Sequence, residues 1–225
     1  MDGVIIVDKP REWTSHDVVN KMRRLAGTRK IGHLGTLDPG ATGVLPLVIG
    51  RATRLAQFFT RNDKTYQGVI HFGYSTDSYD MDGVATSADT PVTLDRQALE
   101  SLFDPFRGEI QQVPPPVSAK KVAGRPAYEL ARKGQPVELE PVTVTINELQ
   151  LLAVEDCEAT VLLHCSAGTY VRSIAHDAGQ ALGCGAFLKS LRRIASGDFS
   201  IERARTLEPG YKMKQAAWDA RVVQT

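Results

Sequence analysis

Asp38 is the single carboxylate in residues 32–46, which read Gly-His-Leu-Gly-Thr-Leu-Asp-Pro-Gly-Ala-Thr-Gly-Val-Leu-Pro. Glycines at 32, 35, 40 and 43 admit backbone conformations and close approaches that other residues resist. Pro39 pushes Asp38 away from helical geometry and toward an extended conformation. One acid held on a loop built for close approach suits a carboxylate that attacks or stabilises a reacting centre. The same residues also fit a turn-rich surface loop opened by Asp-Pro. A phosphate-cradling loop does not fit. Gly35 and Gly40 have the spacing of a P-loop, but Ala41-Thr42 stand where Lys-Ser/Thr is required, and no Gly-x-Gly-x-x-Gly occurs.

Two further side chains carry chemical potential. Arg172 falls in the first turn of a predicted helix, where a cation opposes the helix dipole, and at the edge of that helix's apolar arc. An arginine accepting that cost calls for an anionic partner elsewhere, unless it is simply exposed. Tyr66 shares an alternating face with Ile70 and Phe72, the pattern of a core aromatic on a strand.

The elements that must position these groups are legible in outline. Residues 3–7 read as a strand. Ser15 is placed as the N-cap of a helix carrying Val18, Val19, Met22 and Leu25, stopped at Gly27. The glycine-rich loop follows, then a second helix bearing Ala52, Leu55, Ala56 and Phe59. Residues 64–72 alternate as a strand, and residues 94–106 form a third amphipathic helix. Residues 142–152 and 159–166 are β-rich. Thr169 is placed as the cap of a helix bearing Val171, Ile174, Ala175, Ala178 and Leu182, ending at Gly183. Strands and helices in mixed order, without regular βαβ alternation, predict an α+β fold with a mixed sheet.

The 225 residues are 42% hydrophobic and 24% charged, as expected of a globular chain with a real core. No apolar run is long enough for a membrane span, and the N-terminus lacks the pattern of a signal peptide. Cysteines 157, 165 and 184 form an odd set without a Cys-x-x-Cys pair, which favours reduced thiols and a cytoplasmic location. The five histidines lack metal-ligand spacing, so no metal is expected. Net charge is only +1, but it is unevenly spread. Residues 1–72 hold 11 Lys/Arg against 6 Asp/Glu (+5), whereas residues 73–110 hold 2 against 8 (−6) and residues 166–205 hold 6 against 3 (+3). Lys21, Arg23, Arg24, Arg29 and Lys30 are interrupted by no acid, which suits phosphate contacts as well as a solvated helix end. Residues 111–140, with three consecutive prolines and Lys120, Lys121, Arg125, Arg132 and Lys133, read as a basic excursion from the core and a candidate RNA clamp.

Residues 32–46 meet every fixed position of GHxGTLDPxAxGxLP, and the chain here resembles the TruB-type tRNA pseudouridine synthases. Further matches follow in order: Asp8-Lys9-Pro10 with Thr14-Ser15, Lys64-x-Tyr66, Thr76-Asp77-x-x-Asp80, Ser118-Ala119-x-Lys121-x-x-Gly124, Tyr128-Glu129-x-Ala131-Arg132, Cys165-Ser166-x-Gly168-Thr169-Tyr170-x-Arg172 and Leu191-Arg192-Arg193. The resemblance covers roughly residues 3–205. It departs from the pattern at Glu12, where glycine is frequent, at Val117, where tyrosine often stands, and at Glu140, often an arginine.

The resemblance implies a pseudouridine-synthase fold, a mixed and largely antiparallel sheet flanked by helices with a central RNA-binding cleft. It implies a catalytic domain over 1–205 and a short tail at 206–225, too short for a PUA-like RNA-binding domain. The implied reaction converts the T-loop uridine at tRNA position 55 to pseudouridine without metal or organic cofactor, with the T-stem-loop as partner and the protein acting as a monomer. Asp38 is the implied catalytic carboxylate and Arg172 its counter-charge, while Tyr66 lies against the flipped uracil. His33 fills the space the uridine leaves. Lys9 contacts phosphate or buttresses the loop, Leu191 walls the base pocket, and Lys64 and Lys121 join the RNA-binding set. First attack at the sugar and at the base ring both fit. So, on the residues alone, does an RNA-binding or tRNA-folding protein without catalysis, or the same reaction on another RNA.

Overall fold

The structure is a computed structural model that describes residues 2–118, 120–122, 125–126 and 139–207. The chain divides into two compact units, one joining residues up to Tyr66 with those from Leu191 onward, the other spanning Gln67–Ser190.

The first unit is built on β3 (Thr42–Ile49), whose residues from Gly43 onward are all buried. On one side β1 (Gly3–Lys9) pairs with it antiparallel, from Gly3↔Ile49 to Lys9↔Gly43. On the other side lie β2 (Ile31–His33), antiparallel, and the end of β10 (Ala186–Ser196), parallel through Arg192↔Thr42 and Arg193↔Gly43. Strand β12 (Arg205–Thr206) runs parallel to β1, and β11 (Phe199–Ser200) antiparallel to β10, so the sheet is mixed. Helix α1 (Ser15–Ala26) buries Val18, Val19 and Met22, each contributing roughly 1.5–3 kcal/mol by leaving water. Gly27 ends it in the left-handed conformation, as its residue type predicts. The helix expected around residues 52–59 is a 3₁₀ segment, Gly50–Leu55, running into the single α turn α2 (Ala56–Phe59). Its Ala56 and Phe59 pack with Phe199 on a cluster of Val4, Leu34, Val48 and Ala52.

The fold departs from two local expectations. Thr14, not Ser15, is the N-cap of α1: its hydroxyl accepts from Asp17 N–H while the Asp17 carboxylate accepts from Thr14 N–H, a reciprocal capping box. Ser15 is buried one position later. The glycine-rich segment is also shorter as a loop than its sequence suggests, because residues 42–46 belong to β3.

The second unit orders its strands β4-β9-β8-β5. Strand β4 (Lys64–Phe72) enters from the first unit and alternates as predicted, burying Lys64, Tyr66, Gly68, Ile70 and Phe72. Helix α3 (Arg96–Phe103) is capped by the Asp95 carboxylate and buries Leu99 and Phe103. Antiparallel pairs join β5 (Gly108–Gln112) to β8 (Val142–Glu155) and β8 to β9 (Glu158–Cys165). Of the basic excursion, β6 (Lys121–Val122) and β7 (Arg125–Pro126) form a two-stranded pair. Its Tyr128-Glu129-x-Ala131-Arg132 motif and Lys133 lie outside the described residues, as do residues 208–225 of the expected tail. Helix α4 (Val171–Leu182) ends at Gly183 as predicted.

Candidate active site

The loop between β2 and β3 is pinned at almost every residue. Leu34, Leu37 and Ala41 are buried apolar anchors, Thr36 and Pro39 are exposed, and Asp38 is half-buried between them. Leu34 N–H donates to Pro46 O at 2.9 Å, and Ala41 N–H donates to Asp38 O at 3.1 Å. Ser15 supplies the next fastening. Its hydroxyl donates to Leu37 O at 3.0 Å and accepts from Leu37 N–H at 2.9 Å, so it grips both backbone groups of the residue before the acid. That task explains why Thr14 does the capping instead. On the far side, Glu12 N–H reaches Pro39 O at 2.9 Å.

Two buried cations complete the cradle. Lys9 is 0% exposed, and its ammonium donates to the carbonyls of Pro10, Trp13 and Pro39. Its geometry is therefore that of a loop buttress. Burial pushes the Lys9 ammonium down to about 8, against the opposing pull of the Asp38 and Asp17 carboxylates, and the Arg193 charge adds to the lowering. Arg193, 1% exposed, donates through Nε to Val44 O at 2.7 Å and through its terminal nitrogens to Gly35 O at 3.2 Å and Thr36 O at 3.3 Å. Gly43 makes this possible: a Cβ there would lie 2.2 Å from the Arg193 carbonyl oxygen. A carboxylate on so constrained a loop is preorganised, and reaction geometry is held before substrate arrives.

His33 ends β2, and its Nδ1 is buried without a hydrogen-bond partner among the described residues. Burial, with the charges of Arg193 and His16, lowers its proton affinity, so the ring is neutral near pH 7. Tyr66 is 9% exposed on the buried face of β4. Lys64, two residues before it, is buried and donates to the carbonyls of Thr60, at 2.8 Å, and Asn62. Leu191 lies half-buried on β10, and Lys121 is in the β6–β7 pair of the other unit.

Arg172, in the first turn of α4, is 7% exposed and pairs with an acid, Asp80. Its Nη1 lies 3.2 Å from Asp80 Oδ2 and donates to Ser78 O at 2.9 Å, while Nη2 donates to Val117 O at 3.0 Å. Asp80 is itself oriented, its Oδ1 accepting from Ser78 Oγ at 2.5 Å and Asp82 N–H at 3.1 Å. Thr169 does not cap this helix. Its hydroxyl donates to Ser166 O at 2.9 Å, the N-cap position falls on Tyr170, and Gln112 brackets that residue by accepting from its N–H and donating to its carbonyl. In the sequence Asp80 had no role outside its motif, Ser15 read only as a helix cap, and Arg193 carried no signal beyond its motif position, because burial of a serine or arginine is invisible in a local pattern.

Among the described residues no three His, Cys, Asp or Glu side chains gather as a metal site, and no helix is long and apolar enough to cross a membrane.

Residues 23–171 match the model of the TruB family pseudouridylate synthase N-terminal domain, and residues 172–221 that of the tRNA pseudouridylate synthase B C-terminal domain. This chain belongs to the TruB family. It is 64% identical over 208 residues to tRNA pseudouridine synthase B of Solibacter usitatus (strain Ellin6076), covering 92% of this chain and 71% of the relative. The Aquifex aeolicus (strain VF5) tRNA pseudouridine synthase B is 47% identical over 211 residues, covering 92% and 73%. Among solved structures, a chain of a Cbf5-Nop10-Gar1 complex superposes with a TM-score of 0.72 at 30% identity, covering 91% of this chain and 52% of that one. A chain of an H/ACA RNP bound to a substrate RNA containing 2'-deoxyuridine gives 0.68 at 29% identity, covering 91% and 50%. The TruB-family chain thus spans about 70% of these curated relatives and about half of these solved chains. Its α+β architecture with a mixed sheet is that of the pseudouridine synthases.

Proposed function

We propose that this chain is a tRNA pseudouridine synthase that isomerises uridine 55 in the T-loop, taking the T-stem-loop as its recognised partner and acting as a cytoplasmic monomer. The observation that carries the reading is the Asp38 loop, fastened by Ser15, Lys9, Glu12 and Arg193 so that one half-buried carboxylate is presented in a fixed geometry. A tRNA-folding protein would not need that preorganisation.

The reaction is an isomerisation, so no cofactor is called on to supply atoms or electrons. The N1–C1′ bond breaks, the uracil turns, and C5 bonds to C1′; C5 loses its proton and N1 gains one. Asp38 is assigned the carboxylate that stabilises or attacks the reacting unit. The base must leave the stack first. His33, neutral and at the end of a paired strand, is assigned the space the uridine vacates. Tyr66 is assigned the platform against the extruded uracil, with its hydroxyl serving proton transfer. Arg172 is assigned the counter-charge by the same family resemblance, with Asp80 fixing the plane of its guanidinium. Leu191 is assigned the wall of the base pocket. Lys121 is assigned to RNA binding, whereas Lys64, expected in the same set, is buried with its ammonium on the Thr60 and Asn62 carbonyls and is assigned to support the start of β4.

The test is position-resolved mapping of pseudouridine in tRNA from cells with and without this protein. Loss of pseudouridine at position 55 alone supports the reading. An unchanged T-loop overturns it.

A further inference from the structure

A cavity of about 1140 Å³ lies along α1 in the first unit, lined by Glu12, Trp13, Asn20, Arg23, Arg24 and Arg29. It has two chemical poles. The basic pole is the end of α1, where the side chains of Arg24 and Arg29 are exposed and have no partner among the described residues, and Arg23 Nε is buried without one. Arg23 is nevertheless fixed, donating to Asn20 Oδ1 and Ile31 O, both at 3.2 Å. Toward the start of α1 the lining holds half-buried Trp13 and two acids, Glu12 and Asp17. Asp17 is committed to the Thr14 capping box, whose hydrogen bonds hold its carboxyl below the usual range. The Glu12 carboxylate has no such commitment.

Glu12 also adopts φ +69, a left-handed conformation that a side-chain-bearing residue takes at a cost. The chain accepts that cost where the family pattern favours glycine, and places there a carboxylate on the rim of the cavity. The backbone of the same residue donates to Pro39 O, next to the candidate catalytic acid.

We infer that this cavity is a second nucleotide subsite, taking an unstacked nucleotide of the tRNA other than the target uridine. The phosphate lies on Arg23, Arg24 and Arg29, the base stacks on Trp13, and the Glu12 carboxylate accepts a hydrogen bond from an amino group of the base. Guanidinium groups suit phosphate recognition, and an indole face accepts any base. The Glu12 contact to Pro39 joins subsite and catalytic loop, so occupancy brings the RNA strand to the Asp38 loop. This inference rests on the reading of tRNA as substrate.

The experiment compares full-length tRNA binding by wild type, R24A/R29A, W13A and W13F over a series of salt concentrations, after wild-type turnover on the same tRNA has been measured. The double arginine variant should bind about tenfold more weakly, and the slope of log K against log salt should shrink by about 1 to 2. W13A should lose about fivefold to 100-fold in affinity with the salt slope unchanged, and W13F should recover most of it because a ring face remains. Wild-type affinity in either R24A/R29A or W13A overturns the subsite. A wild type that makes no pseudouridine overturns the substrate reading instead, and the two failures are told apart by that first measurement.

Discussion

Replacing Arg193 by methionine should loosen the Asp38 loop more than it unfolds the protein. The side chain is buried, and its guanidinium is satisfied by the carbonyls of Val44 (2.7 Å), Gly35 (3.2 Å) and Thr36 (3.3 Å). Methionine fills similar volume but leaves three acceptors without that donor. The short bond to Val44 is worth roughly 1.5–2 kcal/mol and the two longer ones about 0.5–1 kcal/mol each. Removing a buried charge returns part of this, since a guanidinium out of water carries its own desolvation cost. The net loss should be about 2–3 kcal/mol, which for a chain of this size lowers Tm by roughly 5–10 °C. Calorimetry gives the stability change, and hydrogen exchange at the amides of Leu34 to Ala41 shows where it falls. Single-turnover rates on tRNA should drop further than stability predicts, because the loop carrying the carboxylate is what has moved. An R193M protein with wild-type exchange in this loop and wild-type turnover would refute the reasoning and leave Ser15 and Lys9 as sufficient anchors.

Three other outcomes follow from the geometry. Glu12→Gly should raise stability by up to about 1 kcal/mol, since relief of the left-handed strain exceeds the extra chain entropy of glycine, whereas Glu12→Ala should not; equal urea midpoints for the two would remove the strain argument. Arg172→Lys should lower turnover at least about tenfold, or roughly 1.4 kcal/mol, because one ammonium cannot hold Ser78 O, Val117 O and Asp80 in a single plane; kcat in a folded variant is the measure, and an unchanged value contradicts it. The Lys9 ammonium, depressed to about 8 in the fold, binds its proton more weakly there than in the unfolded chain, so wild type should gain stability relative to Lys9→Met as pH rises from about 8 to 10.5; a flat or falling difference in denaturant midpoints would show that burial does not depress it.

The elements that read well from sequence were those whose signals are local. Val18, Val19 and Met22 with Gly27 define α1, and the alternation of Tyr66, Ile70 and Phe72 defines β4, because a periodic buried face needs no distant partner. Strand β3 was hidden by Gly43 and Pro46, which locally spell a loop. In the fold Gly43 is there for the close approach of the Arg193 backbone, and Pro46 uses its carbonyl to bind Leu34. The N-caps at Ser15 and Thr169 were misplaced for one reason: each hydroxyl is taken by a carbonyl, of Leu37 and Ser166 respectively. Asp38 stood out by its motif, whereas Lys9 fitted both a phosphate contact and a loop buttress, and Arg193 read as an ordinary cation. Only tertiary structure reveals that backbone carbonyls, not solvent, surround them.

The most direct test of the central claim is Asp38→Asn, assayed on one preparation for tRNA binding and for single-turnover pseudouridine formation. Asparagine preserves size and the backbone fastenings at Leu37, Pro39 and Ala41 but removes the negative charge. No product should be detectable, with affinity kept within about tenfold, roughly 1.4 kcal/mol. Turnover near wild type in this variant would contradict this and take Asp38 out of the chemistry.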